Sequence, residues 1–332
     1  MPGFESIIEQ DLPVRILTTF LQYGTIPHAL LFTGIEGVGK ESTALEFAMA
    51  CNCAGGDSNP TRPATDIPCG NCKSCRKIEA GNHPDIIRLK PSGPFIKINQ
   101  IRSLCQTLAM KPYEARRRLV IITEAQAMNP AAGNALLKML EEPPPRTILI
   151  LVATHTSDLL PTIVSRCQQI RFKPISSRRL ESVLVERHGL DPGDAMIITT
   201  MAGGSISRAL HMHRNHWVNR RNWLIQEMDA LTSGPVNRLL AFSERLSKNK
   251  DSLQDSLEVM KSWLRDLVVG QINPERVINK DLVPEIQQVS LKMSVPALLD
   301  KIDTIQETQN RIHTGTNLRL TMEAMVLKLA KD

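Results

Sequence analysis

Gly34-Ile35-Glu36-Gly37-Val38-Gly39-Lys40-Glu41-Ser42 stands between a short apolar run, Ala29-Leu30-Leu31-Phe32-Thr33, and a helical pattern beginning at Ala44. A glycine-rich turn joining a strand to a helix aims backbone N–H groups at an anion, and a lysine there supplies a point charge. Gly34, Gly37, Gly39 and Lys40 are therefore candidate nucleotide contacts. The pattern G-x-x-x-x-G-K-[ST] fails at its last place, where Glu41 replaces the hydroxyl that ligates Mg²⁺. Ser42 is no substitute, because one helical step turns a side chain by about 100°.

A second alteration has the same chemical role. In nucleoside triphosphatases built around such a loop, an apolar strand ends in an aspartate that holds Mg²⁺, followed by a glutamate that orients water. Leu119-Val120-Ile121-Ile122 leads instead to Thr123 and then Glu124. Two changes in metal-related positions predict a loop that keeps its shape and has given up hydrolysis. A carboxylate is an ordinary Mg²⁺ ligand, however, so Glu41 leaves an active ATPase with a variant loop as the alternative.

Four cysteines make a third constellation. Cys53, Cys69, Cys72 and Cys75 are separated by fifteen, two and two residues, and overlapping C-x-x-C turns put thiolates on one tight knuckle. Structural zinc is the expected ligand, with Cys51 as rival first ligand to Cys53. A [4Fe–4S] cluster is the chemical competitor, although the C-P ending common at such clusters is missing. Finally, Arg166 in Ser165-Arg166-Cys167-Gln168 has two readings. It is either a finger projecting toward a neighbour's nucleotide or a surface arginine in an ordinary salt bridge.

The elements that must hold these residues follow from periodicity. Residues 5–23 carry a helical stripe with Pro13 as an early break, and residues 54–68 form a loop. Strands are expected at 85–89, 118–122, 147–153 and 170–172, and several are apolar throughout, as in a parallel sheet covered on both faces. Between them lie helices from Ile98 and from Pro130, the latter stopped by Pro143-Pro144-Pro145. Beyond Ser176 strand signals fade, and helices are expected at 176–188, 192–202, 205–213, 217–231, 235–248, 251–269, 294–312 and 316–330.

Composition narrows the possibilities further. A chain of 332 residues holds two or three domains. Its net charge of +6 permits a nucleic-acid partner without demanding one, and two Tyr, three Trp and seven Phe are few for a base-stacking surface. A stand-alone zinc-binding nucleic-acid protein is thus disfavoured. Arg116-Arg117-Arg118 is read as a solvated lead-in to a buried strand, with DNA contact as the rival. His211, His213 and His216 are read as part of a helix packing its tryptophans rather than as a metal or DNA site. Cys105 lies on an apolar helical stripe and is expected to be buried. No apolar run approaches the roughly 20 residues needed to span a bilayer, no signal pattern opens the chain, and a reducing cytoplasm is expected.

The phosphate loop, the cysteine insert, Asn134-Ala135-Leu136-Leu137-Lys138-Met139-Leu140-Glu141-Glu142-Pro143-Pro144 and Ser165-Arg166-Cys167-Gln168 together resemble the bacterial DNA polymerase III clamp-loader AAA+ family. With its altered loop and Thr123 the chain looks most like the delta-prime subunit rather than the ATP-hydrolysing tau/gamma subunit. The resemblance implies an α/β then all-α fold: a RecA-like AAA+ domain over 1–172 with a zinc insert at about 51–76, a small helical lid over 173–213, and a C-terminal helical collar over 214–332. It implies zinc on Cys53, Cys69, Cys72 and Cys75, Arg166 as a trans-acting arginine finger, and Arg208 as a lid arginine approaching nucleotide in cis in active relatives. It further implies weak or absent ATP/Mg²⁺ at the chain's own site and tau/gamma and delta subunits as partners. The beta sliding clamp and primer-template DNA would be engaged indirectly, within a nucleoid-associated replisome and its DNA polymerase III holoenzyme, a DNA-directed DNA polymerase.

Overall fold

The computed structural model describes residues 4–56, 68–231, 235–248, 252–313 and 316–331. Most of the loop expected at 54–68, and position 251 at the start of an expected helix, lie outside the described residues. The chain divides into two compact units, residues 1–179 with 204–207, and residues 180–203 with 208–332.

The first unit is built on β1 (Ala29–Thr33), β2 (Ile86–Leu89), β3 (Arg118–Ile122), β4 (Thr147–Ala153) and β5 (Gln168–Arg171). They form one parallel sheet in the order β2-β3-β4-β1-β5. The central strands β1, β3 and β4 are buried at every position, while β5 exposes three of its four residues, as a sheet covered on both faces but open at its edge requires. Its helices are α1 (Asp11–Tyr23), α2 (Lys40–Asn52), α3 (Lys73–Glu79), α4 (Ile98–Ala109), α5 (Pro130–Glu141) and the short α6 (Pro161–Val164). Alternate strand residues Leu31, Val120, Ile122, Leu149 and Leu151 share one core with Ile101, Leu104, Leu136 and Leu140 of α4 and α5. That burial is what the apolar runs of the sequence specify.

Local rules explain most of the boundaries. Pro130 opens α5 with the Asn129 side chain accepting the Ala132 N–H, a proline at the first helical position behind a side-chain cap. Pro13 does not break the first helix. It sits in the opening turn of α1, where the missing N–H costs nothing, and is buried there. Phe4–Ser6 ahead of it is a separate 3₁₀ turn.

The helices that follow are α7 (Ser177–His188), α8 (Pro192–Ala202), α9 (Ile206–Arg214), α10 (Trp217–Asp229), α11 (Val236–Lys248), α12 (Leu253–Ile272), α13 (Val283–Ser290), α14 (Val295–His313) and α15 (Leu318–Leu329). In the second unit α12 packs against α10, α13 and α14, with Trp263 1 % exposed at its centre. Buried Asp266 accepts the backbone N–H groups of Ile278 and Asn279, and Arg221 pairs with Asp281, so the irregular stretch before α13 is stapled to the bundle. The α/β-then-all-α order expected from the sequence is the order found. No helix among the described residues is long and apolar enough to cross a membrane.

Candidate functional site

The phosphate loop leaves the carboxyl end of β1 in mid-sheet, where open parallel sheets bind ligands. Its shape depends on glycine at defined points. Gly34 has φ 144° and a Cβ there would lie 2.7 Å from the Phe172 carbonyl oxygen; Gly37 has φ 74° and a Cβ would lie 2.3 Å from Ser205 Oγ. Gly39, φ 102°, stands at the N-cap of α2. Lys40 is the first residue of that helix. Its Nζ donates to the carbonyls of Gly34 at 2.5 Å and Ile35 at 2.6 Å. Burial lowers its pKa to about 8, against the opposing pull of Glu36.

Gly37, Gly39 and Lys40 line a cleft of about 360 Å³ with Glu41, Lys90, Thr123, Glu124 and Ser207. Glu41 is held at 3.4 Å by Lys90 across it. Thr123 is buried, and its hydroxyl donates to the Leu89 carbonyl at 3.3 Å, so the place where a metal-binding aspartate would stand is occupied by a side chain turned into the sheet. Glu124 is exposed and holds φ 52°, an unusual backbone for a non-glycine residue at a cleft. The cleft thus keeps a phosphate cradle, while its two altered positions present a paired glutamate and an inward-facing hydroxyl.

The cysteines come together. The sulfurs of Cys53, Cys69, Cys72 and Cys75 all lie within 4.8 Å of one another, and Cys51 is outside the group. Burial pushes the Cys51 thiol up to about 12, the behaviour of an inert structural residue. Each knuckle sulfur of the first three accepts a backbone N–H: Cys69 donates to Cys53, Cys72 to Cys69 and Cys75 to Cys72, each at 3.4 Å. Burial pushes the Cys72 thiol up, but the N–H groups of Cys75 and Ala54 outweigh it and bring the pKa down to about 6. Such donors stabilise thiolate, the form that binds a metal. Gly55 closes the site from behind, since a Cβ there would meet Cys69 Sγ at 3.3 Å and Cys53 Sγ at 3.5 Å. Four thiol donors at this spacing fit a tetrahedral sulfur site and can hold a metal such as zinc.

Arg166 follows α6 and is exposed. Its Nη2 lies 2.7 Å from Glu141 Oε1 at the end of α5, and Nη1 donates to the Thr162 carbonyl at 3.0 Å. The surface arginine in an ordinary salt bridge, the second of the two sequence readings, is the arrangement found. Arg208 is exposed on α9, in the second unit, where its charge helps hold the Glu258 carboxyl below its usual range, after burial, which acts the other way, and hydrogen bonds from Gln309 and Lys261. Burial pushes Cys167, beside Arg166, up to about 11.

The arginine triplet is corrected in part. Arg118 is 4 % exposed, not solvated: it donates to the carbonyls of Thr107, Leu108 and Met110 and pairs with buried Asp85 at 3.5 Å. Asp85 also accepts the N–H groups of Tyr113, Glu114 and Ala115. Its pKa is lowered: burial works upward, but the three N–H donors and Arg118 prevail. Glu114 in turn pairs with Lys77 of α3, which ties the cysteine knuckle to the strand lead-in. An aspartate opening a strand after a histidine was the only sequence signal for this network. Cys105 is half-buried against the α4–α5 core rather than fully buried. His211 pairs with Asp255, and Trp223 packs on Phe242 with Arg245 over its ring, in keeping with a packing role for that helix.

Known proteins resemble this chain along its length. A family model described as "DNA polymerase III, delta subunit" matches residues 9–176, and one described as "DNA polymerase III, delta subunit, C terminal" matches residues 215–331. The chain is 30% identical to DNA polymerase III subunit delta' of Bacillus subtilis over 96% of each chain. It is 29% identical to the subunit delta' of Pseudomonas aeruginosa over 91% of this chain and 92% of that one. DNA polymerase III subunit tau of Bacillus subtilis is 27% identical over 99% of this chain, which spans 61% of the tau length.

Proposed function

Because the chain belongs to the DNA polymerase III delta-prime family of clamp-loader subunits, we propose that it serves the loader as a non-hydrolysing member that completes a neighbour's ATP site. Arg166 is the group it contributes: a guanidinium that stabilises charge developing on a phosphoryl group held by an adjacent tau/gamma-type subunit. The carrying observation is the contrast at the chain's own cleft, where Thr123 gives its hydroxyl to Leu89 and Glu41 is paired with Lys90, while an arginine stands exposed after α6. Lys40, bonded to the loop's own carbonyls, keeps the loop closed on itself and leaves nucleotide binding weak or absent.

On this reading the knuckle holds one zinc through Cys53, Cys69, Cys72 and Cys75. The metal supplies a crosslink and no reaction step. The protein divides functionally into an AAA+ domain over 1–172, a lid over 173–213 and a collar over 214–332 that joins tau/gamma and delta subunits. Through them it acts on the beta sliding clamp and primed DNA in the cytoplasm. Arg208, no longer serving a working site, keeps a structural charge role beside Glu258.

Reconstituted loader carrying Arg166→Ala tests this. Clamp loading should fall sharply while the variant assembles and melts as the parent does; normal loading would refute the finger.

A further inference from the structure

A second groove, of about 490 Å³, opens at the amino ends of β3 and β4, the edge of the parallel sheet opposite the phosphate loop. Met110, Lys111, Pro112, Arg118, Pro145 and Arg146 shape it, and no acidic residue is among its lining. Two features point to a ligand. The Nε of Arg118, on a side chain 4 % exposed, has no hydrogen-bond partner among the described residues. A buried guanidinium N–H without an acceptor is costly, and an oxygen admitted by a shift of the groove wall would relieve it. Arg146 is the second. The turn Pro144–Thr147 is closed by the Thr147 N–H on the Pro144 carbonyl, and its third residue has φ 59°. Glycine or asparagine belongs at that place in such a turn. A charged, β-carbon-bearing residue kept there at a conformational cost is a candidate functional position. Neither Lys111 nor Arg146 is ion-paired among the described residues.

We propose that this groove docks an acidic, partly apolar peptide segment of a partner protein. Carboxylates would meet Lys111 and Arg146, and apolar side chains would lie on Met110 and the prolines. The apolar walls exclude water and strengthen the charge pairing. A nucleic-acid strand fits less well, because no aromatic ring lines the groove for base stacking. The site is independent of the role given to Arg166.

The test uses the full chain and a fluorescein-labelled octapeptide of alternating aspartate and leucine, followed by anisotropy. The peptide should bind, and its asparagine–leucine counterpart should bind at least about tenfold more weakly. Lys111→Glu combined with Arg146→Gly should weaken binding by a similar factor, while Arg146→Gly alone, which relaxes the turn, should not lower the melting temperature. Arg166→Ala should leave the affinity unchanged. No binding at millimolar peptide, equal binding of the neutral peptide, or an undiminished affinity in the double variant would overturn the proposal. So would a twelve-residue oligothymidylate that displaces the peptide and itself loses binding in that variant.

Discussion

The phosphate loop and the cysteine knuckle are built alike and equipped differently. Each is a turn with glycine at positive φ and each feeds a helix N-terminus, and at the knuckle backbone N–H groups donate to the sulfurs. At the knuckle the four donors are all present and converge within 4.8 Å. At the loop the cradle is intact, yet Thr123 faces Leu89 and Glu41 faces Lys90. A backbone scaffold outlives its chemistry, because glycine geometry is part of the fold, whereas a metal site exists only while its side chains point at one place. The knuckle therefore has a donor set that can hold a metal, whereas the loop's two metal-related positions are turned to other partners.

Breaking the knuckle should have the largest effect. Removing the metal with a chelator, or Cys69→Ser, should cost one zinc per chain and lower the melting temperature by roughly 10 °C or more, measured by metal analysis and calorimetry. An unchanged melting curve would make the knuckle as idle as the loop. Next is the arginine. In the assembled loader Arg166→Ala should slow hydrolysis at the neighbouring site by about 10³-fold, with little change in stability, since its pair with Glu141 is exposed and worth about 0–1 kcal/mol.

The tie between the knuckle and the lead-in to β3 can be cut at Asp85. Asp85→Asn leaves Arg118 buried without a counter-charge and should cost about 3 kcal/mol in chemical denaturation. Its pH dependence has a definite sign. The folded pKa of Asp85 is below the unfolded one, so its contribution is fully present above an unfolded value of about 3.9 and is lost as pH falls through the lower folded value. The parent should therefore lose part of its advantage over Asp85→Asn under acid. The smallest effect belongs to Glu41→Ala: an exposed pair is removed, stability should move by less than about 1 kcal/mol, and loader activity should hold. A loss of activity there would favour an active ATPase that uses Glu41 as a Mg²⁺ ligand.

Much of this arrangement was legible in the sequence, for physical reasons that also explain the misses. Apolar runs buried on both sides announced β1, β3 and β4, and Pro130 announced the start of α5, whose Asn129 cap only the structure shows. Cysteine spacing was enough for the three local members Cys69, Cys72 and Cys75; choosing Cys53 over Cys51 needed the fold. The helix α13 went unseen because Pro284 and the short span Val283–Ser290 give only two turns of pattern. Arg118 was read as solvated because its partners, Asp85 and the carbonyls ending α4, are brought to it only by the sheet. Gly55 sat in what looked like a featureless loop, and its closeness to Cys69 depends on a long-range contact. That Arg166 pairs with Glu141 was likewise hidden until α5 and α6 were set side by side.

The central claim is that the loop no longer does metal-dependent chemistry. Turnover of Mg-ATP by the purified chain alone, compared with Lys40→Ala, addresses it directly. The account predicts hydrolysis at the buffer background for both proteins. Sustained turnover by the parent that disappears in Lys40→Ala would contradict it.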